Sequence, residues 1–330
     1  MASRELRIGI VGCGHAAKIH LDRLRQIPGV LIVGTADPDL NAAKALATLA
    51  CTPELIPSFT DHVELLKTTR PEALVIFTPH LAHYHPAMDA LRAGCHVFIE
   101  KPLSTNPQEA ADIIHLAKGR QRKVAVGHQF RLLPSLAAAK ARIAEGAIGP
   151  IRLVTATLAQ PWLMSHTGAE NTWRFDPKVA GGGILADAGD HLIDALLWST
   201  GQAASEVAAI QNRLESGLDL VTAAAIRLAD GTPATLALSG VTNGSRFELE
   251  YYGEHGRLRV DETTFEEAIN GQPAHAVPLG EPWETIDGNF VAAILDDRPL
   301  CCPAEAAIDT VRLLEAIARS VATGQLARLS

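Results

Sequence analysis

The stretch LRIGIVGCGHAA, residues 6–17, decides the fold of this 330-residue chain. Its first half is a short apolar run that predicts a buried strand, and a helical pattern follows the stretch through about Arg25. A G-x-G-x-x-A turn between a strand and a helix is typical of sites that hold a dinucleotide pyrophosphate at the helix N-terminus. In such a site Gly12 makes the tight turn, Gly14 lets the backbone approach the ligand, and Ala17 permits close packing of helix on strand.

The end of the second predicted strand, Val30–Ala36, indicates which dinucleotide is bound. Asp37 follows this strand, twenty residues beyond Ala17, where an acid that binds the ribose is expected. A carboxylate accepts a hydrogen bond from a 2′-hydroxyl and repels a 2′-phosphate, and neither Pro38 nor Asp39 supplies a positive charge. The sequence therefore predicts NAD(H) in preference to NADP(H). Without a nucleotide, Asp37 would be the N-cap of the helix predicted at residues 40–49, and it could serve both roles.

Strands and helices continue to alternate through the first 127 residues, which predicts a doubly wound parallel sheet with ligands at the strand C-termini. Two further strands, predicted at residues 73–77 and 95–99, end in Thr78-Pro79 and Glu100-Lys101-Pro102. A last short strand is predicted at residues 123–127. At such a strand end the ammonium of Lys101 could bond a substrate oxygen or position the nicotinamide. The alternative is a solvated surface lysine, as most lysines are.

A second unusual stretch, GGGILADAGDHLID, covers residues 181–194. It opens an apolar segment, Ile184–Trp198, that predicts a mostly buried helix. Asp187, His191 and Asp194 interrupt this segment at spacings of four and three, which would place them on one helix face. A carboxylate one turn from an imidazole can fix its tautomer and raise its basicity, so the pattern indicates a general base. The alternative is a helix whose polar face meets solvent.

The pattern changes after Gly127, and we expect a second domain over residues 128–330. Strands are predicted at residue 151 onward and in five later runs, with turns at Asp230-Gly231 and Asn243-Gly244 that suggest hairpins and an antiparallel sheet. A long loop before the glycines holds Trp162, Trp173 and Arg174, and loops of that length are often functional. The two tryptophans could stack on a sugar face or anchor the loop in the core. Two helices close the chain.

Composition excludes several classes of protein. The formal charge is −8 without any basic run, which argues against nucleic-acid binding. The apolar runs are too short to span a membrane, and the chain enters its first strand too soon for a signal peptide, so we expect a cytoplasmic protein. Five scattered cysteines without a C-x-x-C pair fit a reducing compartment and no structural zinc. Cys301-Cys302 could be a redox pair, although two buried hydrophobic residues are the simpler interpretation. His80, His83 and His85 lack a local carboxylate or thiol, so we expect no metal.

These motifs, in this order, resemble the Gfo/Idh/MocA family of NAD(P)-dependent oxidoreductases over nearly the whole chain. The resemblance implies a Rossmann domain (residues 1–127) joined to an α/β domain (residues 128–330) with a large open, mainly antiparallel sheet that commonly forms a homodimer or homotetramer. It implies catalytic roles for Lys101, Asp187 and His191. Asp190 stands where the family often has a small polar residue, which indicates altered substrate contacts. The implied cofactor contacts are Gly12, Cys13, Gly14, His15, Ala16, Ala17, Asp37, Thr78, Pro79, His83, Glu100, Lys101, Trp173 and Arg174.

Together the motifs and the resemblance predict hydride transfer between NAD(H) and a secondary alcohol or ketone carbon of a sugar, polyol or inositol. His191 would take the hydroxyl proton, Asp187 would orient it, and Lys101 would stabilise charge on the oxygen. Two alternatives stay open: net non-oxidative chemistry with transient reduction of NAD, as in family glycosidases and dehydratases, and a regulator that senses NAD without turnover. The expected substrate contacts are Lys101, Arg131, Trp162, Trp173, Asp187 and His191.

Overall fold

The computed structural model describes residues 5–50, 55–166, 173–214, 217–282 and 284–329. The chain forms two compact units, each treated separately below. The first comprises residues 1–127 and 284–307, and the second comprises residues 128–283 and 308–330. The first unit is therefore discontinuous in sequence. Its late segment is tied to the last strand of the unit, where the Val126 N–H donates a 3.0 Å hydrogen bond to the Cys302 carbonyl.

The first unit alternates strands and helices as predicted. Its elements are β1 (Leu6–Val11), α1 (His15–Leu24), β2 (Val30–Ala36), α2 (Leu40–Leu49), β3 (Ser58–Phe59), α3 (His62–Thr69), β4 (Ala73–Ile76), α4 (Tyr84–Arg92), β5 (His96–Ile99), α5 (Pro107–Arg120) and β6 (Val124–Val126). The sheet is fully parallel, in the order β3-β2-β1-β4-β5-β6. This is the Rossmann order, in which the C-terminal ends of β1 and β4 meet where the strand order reverses. β3 and α3 were not predicted.

The second unit is built on one large sheet. Its elements, with the late helix of the first unit included in chain order, are α6 (Pro134–Ala144), β7 (Ile151–Ala159), α7 (Trp162–Ser165), α8 (Pro177–Ala180), α9 (Ala188–Thr200), β8 (Ala204–Asn212), β9 (Val221–Leu228), β10 (Pro233–Ser239), β11 (Arg246–Gly253), β12 (Gly256–Val260), β13 (Phe265–Ile269), β14 (His275–Ala276), α10 (Ile286–Leu295), α11 (Ala304–Thr323) and β15 (Ala327–Arg328). Buried apolar residues of one sheet face pack with α9 in a single core.

In the large sheet, one of the two predicted hairpins is present and the other is not. Its order is β14-β13-β12-β11-β7-β10-β9-β8-β15. The turn at Asp230-Gly231 joins β9 and β10 as an antiparallel hairpin, as predicted. The turn at Asn243-Gly244 does not make a hairpin, because β7 lies between β10 and β11 and pairs parallel with β10. The strand that fills this gap lies almost a hundred residues earlier, and turn chemistry cannot reveal such an insertion. The short strands β13, β14 and β15 were also not predicted.

The buried helix of the second unit begins later than predicted. It starts at Ala188 instead of Ile184, and Asp187 precedes it as the N-cap residue with non-helical angles (φ −91°, ψ −87°). The residues 181–187 form a turn, because glycines there allow the backbone to pass close to another segment. Helical spacing therefore places His191 and Asp194 on one face, while the position of Asp187 is set by the turn.

Candidate active site

The glycine turn of the first unit has the shape that a pyrophosphate needs. Gly12 has φ +83°, and a Cβ there would lie 2.6 Å from the backbone of Phe77 and Thr78, so only glycine fits. A Cβ on Gly14 would meet nothing within 4 Å, which leaves open space above the turn. Gly14 is also the N-cap of α1 and carries no side chain to accept from the first-turn N–H groups. The N–H groups of residues 15–17 therefore suit an anionic ligand.

The carboxylate of Asp37 is built into this turn. Its Oδ2 accepts a 2.8 Å hydrogen bond from the Cys13 N–H, and its Oδ1 accepts from the Asp39 N–H at 2.9 Å. Asp37 is half-buried, and a carboxylate retains further lone pairs after accepting two bonds, so it can still bind a ribose hydroxyl. The idea that it caps α2 is wrong, because Asp39 is the N-cap and accepts from Asn41 N–H. Burial, together with the charge of Asp37, raises the pKa of the Cys13 thiol to about 12.

The loop after β4 offers one polar atom of its own and is held by a histidine. The hydroxyl oxygen of Thr78 is buried and has no hydrogen-bond partner within the described ranges, so it can serve a ligand. The two ring nitrogens of His83 lie 2.8 Å from the Pro102 carbonyl and 2.9 Å from the Thr78 carbonyl. The ring is 1% exposed. His83 thus ties the loop after β4 to the loop after β5. Pro79 is the N-cap of the single 3₁₀ turn that leads to His83.

A chain of charged groups supports Lys101. The Lys101 N–H donates a 2.7 Å hydrogen bond to Glu100 Oε2, and His20 Nε2 lies 3.3 Å from Glu100 Oε1. The other ring nitrogen of His20 lies 2.6 Å from Asp287 Oδ1. Burial disfavours the charged imidazole, but the bonds to Asp287 and Glu100 outweigh it and raise the pKa of His20 to about 9. His20 is therefore an imidazolium at neutral pH, and it fixes Glu100 beside the half-buried Lys101.

In the second unit, the turn before α9 is held by Asp219. The Gly183 N–H and the Leu185 N–H donate to the two carboxylate oxygens of Asp219, the latter at 2.8 Å. The Ile184 N–H donates to the Asp219 carbonyl at 3.1 Å. A Cβ on Gly183 would lie 2.8 Å from that carbonyl oxygen, so this glycine is required by the approach of Asp219. The glycine-rich motif thus lets Asp219 approach the backbone, and the carboxylate of Asp219 fixes the start of α9.

Asp187 is also held by hydrogen bonds. Its Oδ2 accepts from the Trp162 indole nitrogen at 2.8 Å and from Arg174 Nε at 2.9 Å. The Trp162 side chain is 1% exposed, so it anchors its loop in the core and cannot stack on a ligand in this conformation. The guanidinium of Arg174 lies 4.3 Å from the centroid of the half-buried Trp173 ring. Of the two tryptophans, Trp173 is the one that retains accessible surface.

His191 lies on the first turns of α9 and is 8% exposed. Its imidazole stacks on the ring of Phe130, with centroids 4.6 Å apart and planes 11° apart. Arg131, which we expected to bind substrate, is 4% exposed and makes a bidentate pair with Asp194, with bonds of 2.9 and 2.6 Å. A guanidinium held in this way fixes the carboxylate of α9.

Each unit therefore gathers its share of the predicted residues. The C-terminal edge of the first unit's sheet carries the glycine turn, Asp37, Thr78, His83 and the Glu100-Lys101 pair. In the second unit, Trp162 and Arg174 both donate to the carboxylate of Asp187. The sequence did not indicate three further residues: His20, His128 and Asp219. Their side-chain hydrogen-bond partners lie 34 to 267 positions away along the chain. The only local signal was an imidazole or carboxylate in an otherwise apolar surrounding.

Comparison with known proteins agrees with this architecture. Residues 6–128 match the family model described as "Oxidoreductase family, NAD-binding Rossmann fold", and residues 136–259 match the GFO/IDH/MocA C-terminal domain. The chain therefore belongs to the Gfo/Idh/MocA oxidoreductase family, and its first domain is of the NAD-binding type. In the described part of the chain, no helix has both the length and the apolar character needed to cross a bilayer.

Three similar proteins illustrate the family. A dTDP-3,4-didehydro-2,6-dideoxy-alpha-D-glucose 3-reductase of Streptomyces antibioticus is 31% identical, over 79% of this chain and 77% of the relative. The D-glucoside 3-dehydrogenase of Escherichia coli is 28% identical over 61% of this chain, and the match spans little more than half of that relative, 56%. A dehydrogenase of Bordetella pertussis, solved with NADH and UDP-GlcNAcA, has a TM-score of 0.84 at 23% identity, with 99% of each chain covered.

Proposed function

We propose that this protein is an NAD-dependent dehydrogenase that oxidises a secondary alcohol of a sugar, polyol or inositol, or reduces the corresponding ketone. The observation that carries the proposal is His191, an imidazole fixed against Phe130 on a helix whose start is held by hydrogen bonds. Two relatives are named as a D-glucoside 3-dehydrogenase and a reductase of a didehydro sugar, and these names support the substrate class. Residues 1–127 would bind the nucleotide, and residues 128–330 would bind the substrate.

The residues of the first unit fit NAD. The N–H groups of residues 15–17 would hold the pyrophosphate, and Asp37 would accept from a ribose hydroxyl, which favours NAD(H) over NADP(H). The hydroxyl of Thr78 would gain the hydrogen-bond partner that the described residues do not provide. When bound, NAD supplies the acceptor for a hydride.

Side chains accept the proton of the substrate hydroxyl and stabilise the negative charge on its oxygen. His191 takes the hydroxyl proton as a general base in its neutral form. Lys101, held beside Glu100, places an ammonium near the oxygen and stabilises the negative charge that develops there. Asp187, fixed by Trp162 and Arg174, keeps the start of α9 in place and orients His191.

For the substrate, we propose Trp173 as the aromatic contact, since its ring is half-buried and Trp162 is enclosed. Arg174 lies against the face of Trp173 and holds it while bonding Asp187. Arg131 is enclosed and paired with Asp194, so it would act on the substrate only through Asp194.

We further propose that copies of the chain associate through the outer face of the large sheet. Along β9 and β10 several residues that point away from the core are small and exposed, among them Ala223, Ala225 and Ala237, and these three line a groove of about 490 Å³. Ile210 beside them is 75% exposed. Exposed apolar patches of this kind commonly mark interfaces. Light scattering coupled to size exclusion should give a multiple of the 35.1 kDa chain mass, and a monomer at micromolar concentration contradicts the proposal.

The state of the cysteines indicates the redox character of the cellular compartment. The four described cysteines, Cys13, Cys95, Cys301 and Cys302, are free thiols. Free buried thiols are usual in a reducing compartment. We therefore propose a cytoplasmic location, which fractionation of the source cells can test.

A substrate panel tests the proposed function. Purified protein with NAD is offered free sugars, sugar acids, inositols, linear polyols and nucleotide sugars, and NADH absorbance is followed. At least one member of the panel should give turnover that falls in the Lys101→Ala variant. A panel in which no hydroxyl compound reduces NAD, although NADH binds, contradicts the proposal.

A further inference from the structure

A buried histidine of the second unit lies between two carboxylates. His128 is 0% exposed; its Nε2 lies 2.5 Å from Asp190 Oδ2, and its Nδ1 lies 3.2 Å from Asp194 Oδ1. The first contact is a hydrogen bond and the second is within ion-pair distance. Two carboxylates on opposite sides of one imidazole favour its protonated form. His128 is therefore treated as a buried cation paired with Asp190 and Asp194.

The charges in this cluster are paired. Arg131 bonds both oxygens of Asp194, so the cations His128 and Arg131 face the anions Asp190 and Asp194. The half-buried ammonium of Lys140 on α6 also interacts with Asp194 and Arg131. Burial opposes ionisation of Asp194, but the charges of His128 and Arg131 and the bond from Arg131 hold its pKa below its usual value. Apart from Lys140, these side chains are at most 4% exposed. Buried charges are tolerated when they are paired in this way.

The cluster encloses the proposed base. Asp190 and Asp194 precede and follow His191 on α9, one and three residues away. Phe130, on which His191 stacks, lies between His128 and Arg131 in the chain. The rings of His128 and His191 are 6.1 Å apart in an edge-to-face arrangement. Among the described charged side chains of the second unit, Asp190 and Asp194 flank His191 on the helix and His128 lies beside it, while Arg131 and Lys140 interact with Asp194.

We propose that His128 and Asp190 are positioning residues, which hold His191 against Phe130 and keep the charge beside it balanced. Asp190 is 0% exposed, so it serves the substrate through His128 and His191 and not by contact. This proposal rests on the proposed function only where it concerns turnover. The effect on His191 itself can be measured without any substrate.

The apparent pKa of His191 should respond differently to loss of Asp190 alone and to loss of both Asp190 and His128. Asp190→Asn removes an anion next to His191 and keeps an oxygen that can accept from His128. Loss of a nearby anion disfavours the imidazolium, so the apparent pKa of His191 should fall by about one unit. Adding His128→Asn removes the matching cation, so the double variant should return the pKa towards that of the unchanged protein. A role in packing alone would not predict this recovery.

The experiment titrates His191 by NMR in protein with ¹³C-labelled histidine, with His191→Asn to assign its signal. The single variant Asp190→Asn, the double variant and two matched surface controls, Asp309→Asn and His275→Asn, are compared. The pH profile of turnover is recorded for the same set. NADH affinity should stay within about twofold throughout, because the nucleotide residues belong to the first unit.

The outcomes separate the two proposals. A His191 pKa that falls in Asp190→Asn and recovers in the double variant supports the inference. An unchanged His191 pKa in Asp190→Asn, or a further fall in the double variant, overturns it. If the NMR pKa moves as expected and the pH profile of turnover does not, the inference stands and His191 is not the base, so the proposed mechanism fails.

Discussion

The indole nitrogen of Trp162 donates a 2.8 Å hydrogen bond to the carboxylate of Asp187, and the Trp162 ring is 1% exposed. The residue that we expected to contact a sugar therefore supports a proposed catalytic residue instead. Arg174 bonds the same carboxylate oxygen from the loop at 2.9 Å. The start of α9 is thus fixed from two sides, and this pairing can be tested through stability.

The Trp162–Asp187 bond should contribute measurably to folding. Trp162→Phe removes the donor and keeps most of the ring, so we expect the free energy of unfolding to fall by about 2 kcal/mol, the usual value for a hydrogen bond to a charged group. Urea denaturation measures the loss. In an Asp187→Asn background the same change should cost clearly less, because the acceptor is no longer charged. An equal cost in both backgrounds would assign the effect to packing alone.

Cofactor selectivity should depend on Asp37. Its carboxylate repels a 2′-phosphate, so NADH should bind at least about tenfold more tightly than NADPH, since apposed like charges cost several kcal/mol. The pair of changes Asp37→Ser and Pro38→Arg should narrow this gap. Because Asp37 also accepts from the Cys13 N–H, NADH itself should bind more weakly in the variant.

Fluorescence titration with both nucleotides measures these affinities. Asp39→Asn is the matched control, since asparagine retains the cap of α2 and the NADH preference should persist. Equal or tighter binding of NADPH to the unchanged protein would refute the assignment of Asp37.

His20 should make stability depend on pH in the alkaline range. Its folded pKa of about 9 lies above the ordinary value of 6.5, so its contribution is complete below pH 6.5 and disappears as pH rises through 9. The difference in unfolding free energy between the unchanged protein and His20→Gln should therefore shrink over this window, by on the order of 3 kcal/mol at most. Chemical denaturation at a series of pH values measures it.

A surface histidine of the first unit serves as the matched control variant. His115 on α5 is exposed, and His115→Gln makes the same change of side chain outside the Asp287–His20–Glu100 chain. A His20→Gln effect that is the same at pH 6.5 and 9.5 would show that the Asp287–His20–Glu100 chain is not held by an imidazolium.

The two proposed catalytic side chains should fail in different ways. His191→Asn keeps a polar side chain but no base, so turnover should fall by about 10²–10⁴-fold and the acidic limb of the pH profile should flatten. Lys101→Ala removes the proposed charge stabilisation of the substrate oxygen and should lower turnover, with His191 still present as the base. NADH should still bind to His191→Asn. Unchanged turnover and pH profile in His191→Asn would mean that another residue is the base.

Local patterns were enough to predict the ligand-facing strand ends of the first unit, but not β3, α3 or the late segment at residues 284–307. The turn at residues 12–17 and the strand ends at Asp37, Thr78 and Lys101 are adjacent in sequence to the strands that position them, so periodicity and turn chemistry place them correctly. In the second unit the decisive contacts are long-range. Asp219 holds Gly183 from 36 residues away, and β7 pairs with β10 across more than seventy residues. A single sequence shows the glycines and the acids but not which of them meet.

The most direct test of the central claim is the stoichiometry of NADH against oxidised product. With a substrate from the panel and NAD in excess, the account predicts one NADH formed for each carbonyl produced, at a rate that falls about 10²–10⁴-fold in His191→Asn. Product that accumulates without a matching amount of NADH would mean that the nucleotide is reoxidised within the cycle. That result would contradict net dehydrogenation and favour a non-oxidative reaction on the same fold.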